Sequence, residues 1–174
     1  MKTLVDHLSQ YGEYHRDSRN IITHLVGVPV IVFAVAVLLS RPMFELMGVM
    51  VSPAAFVLLV FVLFCMRLHF GFGLLMTALL AACVWGAHQV ALMSTSVWLM
   101  TGVGLFVGGW IVQFIGHYYE GKKPAFVDDL VGLAIGPLFV VAEVLFAVGI
   151  WHSLKQDIEA RVGPVRNGAQ AQAQ

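Results

Sequence analysis

A stripe of polar side chains stands at the end of a long apolar run, in the stretch WIVQFIGHYYEGKKPAFVDD at residues 110–129. On an α-helix, Gln113, His117 and Glu120 follow one another at i, i+4 and i+7, so an amide, an imidazole and a carboxylate share one face. This arrangement is typical of a site at the mouth of a membrane helix.

Two further histidines, His15 and His24, precede the first apolar run. Their nine-residue separation corresponds to about 900° on a straight helix, which would place the two rings on opposite faces. A shared site therefore requires the chain to bend between Arg16 and Asn20. Asn20 lies four residues before His24 and shares its helical face.

Histidines that one fold brings to the same membrane surface suit the imidazole-rich chemistry of Fe, Zn or Cu. The predicted metal ligands are His15, His24 and His117. Glu120 would add a carboxylate, either as a fourth ligand or as a catalytic group, and Asn20 and Gln113 are the predicted partners that fix a ring tautomer. The competing interpretation is a helix end that carries interfacial polar residues, and the ligand types alone do not choose the metal.

Lys122 and Lys123 follow the polar stripe and have two interpretations. They could mark the cytoplasmic side of the membrane, as clustered Lys residues do. They could also hold a carboxylate headgroup at the membrane interface.

The composition is that of an integral membrane protein. Of the 174 residues, 59% are hydrophobic and only 11% are charged, and the mean hydropathy is +0.85. This is more apolar side chain than a water-soluble domain of that size can bury. The formal net charge is zero, so no basic surface indicates nucleic-acid binding.

The pattern predicts an all-α fold, a multi-pass transmembrane helical bundle. Five apolar runs are present, at residues 25–40, 46–66, 70–93, 97–116 and 130–151. The first has only about 16 residues, fewer than the usual span of about 20, so four full spans are the alternative to five. Residues 3–16 predict a short amphipathic helix at the interface.

We expect a single membrane domain over residues 1–160 and a disordered tail over residues 161–174, which are rich in Gly, Ala and Gln. With five spans, the distribution of Lys and Arg weakly favours a cytoplasmic N-terminus, and it then places the candidate metal site on the cytoplasmic side. The membrane would be the inner membrane of a bacterium or the endoplasmic reticulum of a eukaryote. The oligomeric state is left open, and a homo-oligomer is compatible with the sequence.

Two blocks of sequence carry a family resemblance. They are YHRDSRNIITHLVGVP at residues 14–29 and QFIGHYYEGKKPAFVDDLVGLAIGPLFVVAEVL at residues 113–145. Their spaced His, Asn, Gln, Glu and Pro residues resemble the Mpo1-like family of membrane proteins, which includes a 2-hydroxy fatty acid dioxygenase of the α-oxidation pathway. About 50 of the 174 residues carry the resemblance, and the middle of the chain is similar only in being apolar.

The resemblance implies an Fe(II)-dependent enzyme that uses O2 to shorten a 2-hydroxy long-chain fatty acid by one carbon. It implies His15, His24 and His117 as the metal ligands, and it does not decide whether Glu120 binds the metal. Such an acid can chelate an ion through its hydroxyl and one carboxylate oxygen. The chain shows no nucleotide-binding loop, in keeping with a reaction that needs only Fe(II), O2 and the substrate.

Other classes of function compete with the dioxygenase. A small membrane haem protein would use two of His24, His88 and His117 as axial ligands. A transporter or proton-relay subunit would be built on His88, Gln113 and Glu143, although the chain shows no inverted repeat. In a scaffold protein, the three predicted ligands would affect stability only.

Overall fold

The computed structural model describes residues 2–127 and 131–167. In chain order the elements are α1 (Leu4–Gly12), α2 (Ser18–Ser40), β1 (Phe44–Leu46), β2 (Val49–Val51), α3 (Pro53–Leu68), α4 (Phe70–Ala91), α5 (Thr95–Glu120), a 3₁₀ turn (Ala125–Val127), α6 (Val131–Ala147) and α7 (His152–Val162). The chain divides into two compact units, one of residues 1–29 with 109–174 and the other of residues 30–108. Helices α2 and α5 each contribute to both.

The predicted amphipathic helix at the N-terminus is confirmed as α1. Its start is fixed by a capping box, in which Thr3 Oγ1 accepts from the Asp6 N–H and the Asp6 carboxylate accepts from the Thr3 N–H. The apolar side chains of its inner face, Leu4, Leu8 and Tyr11, are buried. Because this face contacts α6 and α7, α1 is anchored within the first unit.

The chain bends where the histidine spacing requires it. Helix α1 ends at Gly12 and α2 begins at Ser18. The intervening turn is closed by the N–H of His15, which donates to the carbonyl of Gly12 at 3.0 Å. Two rings nine residues apart can therefore face each other.

Two glycines allow α2 and α5 to approach closely within the first unit. A Cβ atom on Gly116 would collide with the side chains of Thr23 and Asn20, and one on Gly27 would collide with Gln113. Both positions therefore require a hydrogen in place of a methyl group. The close approach sets the polar face of α2 against the polar face of α5.

The core of the second unit is small and apolar. Ala36, Val37 and Ala87 are buried, and the indole N–H of Trp98 donates to the carbonyl of Val37 at 2.8 Å. In contrast, large apolar side chains of this unit face outwards; Trp85 is 70% exposed and Met100 is 75% exposed. Exposed apolar surface around long helices requires a lipid environment.

The second apolar run differs from the prediction of a full transmembrane helix. Its first residues form a β-hairpin, in which Phe44 pairs with Val51 and Leu46 with Val49. The two turn residues, Met47 and Gly48, both have positive φ, as a type I′ turn requires. Helix α3 then has 16 residues, or about 24 Å, which is shorter than the roughly 30 Å hydrocarbon core.

The count of five spans is not confirmed. Within residues 2–127 and 131–167, three helices are long and apolar enough to cross a membrane, namely α2, α4 and α5, and the pair α6 and α7 would make a fourth if it counts as one span. The first run, expected to be too short, lies in the 23-residue helix α2, because the polar segment before it is also helical. The chain is a helical membrane protein with three to four candidate spans.

The C-terminal region is described as far as residue 167. Helices α6 and α7 meet at a bend of 116°, and α7 continues to Val162. Beyond it, Arg166 forms a parallel β-bridge with Asp17. Residues 168–174 of the predicted tail lie outside the described residues.

Candidate metal centre

Three imidazoles from two distant parts of the chain converge in the first unit. His15 lies in the bend between α1 and α2, His24 lies on the second turn of α2, and His117 lies near the end of α5. One ring nitrogen of each lies within 4.8 Å of those of the other two. All three side chains are buried, with at most 7% of the residue exposed.

Backbone carbonyl groups set the tautomers of two of the rings. His15 Nδ1 lies 2.7 Å from the carbonyl oxygen of Tyr11, and His24 Nδ1 lies 2.9 Å from that of Asn20. A carbonyl only accepts, so each Nδ1 carries the proton and donates it. The Nε2 atom of each neutral ring is therefore left with a lone pair.

These two lone pairs face each other. His15 Nε2 and His24 Nε2 are 3.0 Å apart, and no proton is available to lie between two neutral rings that both donate from Nδ1. Two nitrogens bound at about 2.1 Å to one ion are about 3.0–3.4 Å apart at right or tetrahedral angles. A bound cation would therefore convert this repulsive contact into a favourable one.

The third imidazole also presents an unused nitrogen. His117 Nδ1 is buried and has no hydrogen-bond partner among the described residues, while the ring has a hydrogen bond to the backbone of Lys122. Buried polar atoms are nearly always paired. An ion held by the three rings would satisfy this atom, so the residues present fit a metal ion.

Electrostatics keeps His15 in the form that binds metals. Burial, together with the neighbouring His24 imidazole, lowers the pKa of His15 well below its ordinary value. The ring is therefore neutral at pH 7, and its free nitrogen is available as a ligand.

The rings pack too closely for a haem between them. The centroid of His15 lies 4.3 Å from that of His24, and His117 lies 5.0 Å from both. A flat macrocycle does not fit between any two of these rings. Of the candidates for a proton relay, His88 is exposed on α4, and the Glu143 carboxylate lies 3.8 Å from the Arg16 guanidinium.

Glu120 lies beside the three histidines, and its carboxylate is occupied by hydrogen-bond donors. Oε2 accepts from the N–H groups of Arg16 at 2.9 Å and Asp17 at 2.7 Å, and from Asn20 Nδ2 at 3.2 Å. Oε1 accepts from Arg166 Nη2 at 3.0 Å. The carboxylate thus joins the end of α5 to the bend that carries His15.

The two amides predicted to support the rings have different surroundings. Asn20 acts through its backbone, whose carbonyl accepts from His24 Nδ1, and through its side-chain contact with Glu120. The side chain of Gln113 is buried one turn from His117, and neither of its polar atoms has a hydrogen-bond partner among the described residues. It therefore makes no bond that would fix a ring tautomer.

The two lysines lie at the surface next to this centre. The ammonium of Lys122 donates to the carbonyl of Glu13 at 2.7 Å. Lys123 is exposed.

Several residues that shape the centre are missed by sequence reasoning. Tyr11 supplies the carbonyl that orients His15 and stacks on its ring at a centroid distance of 4.1 Å. Arg16 and Asp17 are buried beside Glu120. A contact made by a backbone carbonyl leaves no signal in the residue type. The usable signal in the sequence is the pair of charged residues, Arg16 and Asp17, directly after the candidate ligand His15.

Comparisons with known proteins identify the family of the chain. The family model described as "2-hydroxy-palmitic acid dioxygenase Mpo1-like" matches residues 1–148. The chain is 33% identical over 156 residues to the 2-hydroxy-palmitic acid dioxygenase MPO1 of Saccharomyces cerevisiae, which covers 87% of this chain and 85% of that protein. No solved structure matches the chain. The chain therefore belongs to the Mpo1-like family.

Proposed function

We propose that this protein is an Fe(II)-dependent membrane dioxygenase that converts a 2-hydroxy long-chain fatty acid and O2 to the fatty acid one carbon shorter and CO2. The observation that carries the proposal is the pair of deprotonated Nε2 atoms of His15 and His24 facing each other at 3.0 Å, with His117 beside them. The family relationship supports the class of reaction and substrate.

The reaction balances without a further cofactor. R-CH(OH)-COOH and O2 give R-COOH, CO2 and H2O, and the four electrons that reduce O2 all come from the two carbons of the substrate. When bound, an Fe(II) ion would supply a position for O2 and for the chelating hydroxyl and carboxylate oxygens. No flavin, 2-oxoglutarate or external reductant takes part.

The residues of the chain have separate tasks in this proposal. His15, His24 and His117 hold the ion through neutral nitrogens, and the carbonyl groups of Tyr11 and Asn20 keep two of these rings in the correct tautomer. The burial of all three rings restricts the access of water. With four donors on its carboxylate, Glu120 positions the loop that carries His15 and leaves the ion to the imidazoles.

The bilayer supplies most of the substrate affinity. Each buried methylene contributes about 0.8 kcal/mol, so an acyl chain that enters from the lipid binds tightly but is poorly distinguished by length. Recognition must therefore act on the headgroup. In this proposal the centre lies towards the cytoplasmic side, where Lys and Arg accumulate.

We expect Lys122 and Lys123 to guide the substrate carboxylate, because they are exposed cations that directly follow the end of α5 in the chain. Replacing both with Gln should raise the KM for a 2-hydroxy acid by up to about 30-fold, the effect of roughly 1 kcal/mol for each of two cations near the surface. The kcat should change little, since the ring nitrogens are untouched. Steady-state O2 uptake measures both constants, and an unchanged KM would exclude the guiding role.

Metal removal tests the proposed function itself. The purified protein should contain about one iron per chain, and a chelator that removes it should abolish O2 uptake with 2-hydroxypalmitate. Adding Fe(II) back, but not Zn(II), should restore uptake with equal amounts of O2 consumed and CO2 released. Full activity in metal-free protein, or a requirement for an added reductant in each turnover, would contradict the proposal.

A further inference from the structure

The segment after α7 lies against the loop that carries His15. We name residues 163–166 the C-terminal strap. Its Arg166 N–H donates to the carbonyl of Arg16 at 2.7 Å, and the carbonyl of Arg166 accepts from the N–H of Ser18 at 3.0 Å. At the other end of the strap, the carbonyl of Gly163 accepts from Arg16 Nη1 at 3.1 Å. The strap is thus paired with the bend on both sides of Asp17.

The side chain of Arg166 extends the same connection to α5. Its Nη2 donates to Glu120 Oε1 at 3.0 Å, while Glu120 Oε2 accepts from the backbone of Arg16 and Asp17. One oxygen of the carboxylate therefore holds the loop and the other holds the strap. Glu120 lies three residues after His117. The strap therefore contacts the loop that carries His15 and also the end of α5, which carries His117.

The strap meets Glu120 at a carboxylate that is buried. The strap also lines one side of an open cleft of about 580 Å³, together with Arg16, Glu120 and Lys122. Glu120 is only 8% exposed with the strap in place. Hydrogen bonds to a buried carboxylate are stronger than those in contact with water. Loss of the strap would expose Glu120 and so weaken its hydrogen bonds to the loop that carries His15.

The strap lies outside the part of the chain that matches the family model, which ends at residue 148. We propose that the C-terminal strap is a positioning element for the metal centre of this protein, and that Arg166 is a positioning residue that acts through Glu120. The inference rests on the proposed metal centre and adds to it a segment that the family resemblance does not include.

Two truncations test the strap with a matched control. A chain that ends at Val162 keeps α7 and loses the strap, whereas a chain that ends at Asn167 keeps the strap and loses only residues 168–174. Co(II) affinity is measured for the metal-free proteins by competition with a chelator. The shorter chain should bind Co(II) about tenfold or more weakly, the range for partners that orient ligands, and the longer chain should match the full protein.

Point variants separate positioning from general stability. Arg166→Met should weaken Co(II) binding several-fold, and Arg166→Lys should restore most of it because an ammonium can still donate to Glu120. Arg161→Ala is the control on the adjacent helix, since Arg161 pairs with Asp6 and not with Glu120. It should leave Co(II) affinity unchanged even if the melting temperature falls.

The outcomes distinguish this inference from the proposed function. Equal Co(II) affinity in the Val162 truncation and the full chain overturns the role of the strap and leaves the metal centre intact. Equal weakening by Arg166→Met and Arg166→Lys overturns the role of the cation. Absence of Co(II) binding by the full chain instead contradicts the metal centre.

Discussion

Replacing His117 with alanine is expected to eliminate both metal binding and dioxygenase activity. The substitution removes one of three imidazoles whose ring nitrogens lie within 4.8 Å of one another. Loss of a partner that merely orients a ligand costs 10–100-fold in metal affinity or activity, so loss of a ligand should cost at least about 100-fold. Elemental analysis and O2 uptake on the same preparation measure both effects.

The matched control for His117 is another histidine of the chain. His88 is exposed on α4, and His88→Ala should keep the iron content and the rate of the unmodified protein. Circular dichroism of both variants shows whether the helices remain. Retention of iron and activity in His117→Ala would remove the basis of the proposed centre, and a haem absorption band lost in His88→Ala would favour the haem interpretation instead.

Replacing Glu120 with alanine is expected to have the second largest effect. The substitution leaves the donors of Arg16, Asp17 and Asn20 without their acceptor. Each buried donor left unpaired costs about 1–3 kcal/mol, so the free energy of unfolding should fall by about 3 kcal/mol or more. Metal affinity should fall about 10–100-fold because the loop that carries His15 is released.

The spectrum of the Co(II) protein decides between positioning and ligation by Glu120. At saturating Co(II), Glu120→Gln should give the same visible absorption as the unmodified protein, because the ligand set is the three imidazoles in both. The affinity should nevertheless be lower, since an amide presents only one acceptor atom. A shifted spectrum at saturation would show that the carboxylate is a ligand and would contradict its role as a positioning residue.

The polar face of the site could be predicted because it depends on local geometry. The spacing of Gln113, His117 and Glu120 places them on one helical stripe whatever the rest of the fold does. Similarly, the separation of His15 and His24 requires a bend, and the structure has one. Residue types and helical periodicity were sufficient for these features.

The features that sequence did not predict depend on contacts between distant segments. The partners of the Glu120 carboxylate include Arg166, 46 residues further along the chain, and no local pattern reports such a contact. The hairpin before α3 occupies the start of an apolar run that was predicted to be helical. It was not predicted because hydropathy alone does not distinguish a strand from a helix. The support from Tyr11 comes from a backbone carbonyl, which any residue type would offer.

The distribution of the three ligands along the chain has a consequence for biogenesis. Two of them are synthesised within the first 24 residues, and the third follows only at position 117. Until α5 has been inserted beside α2, the early pair has an incomplete coordination sphere and holds an ion weakly. In the proposed metal centre, acquisition of the ion would therefore be a late event in maturation, and occupancy would report that the helices have assembled.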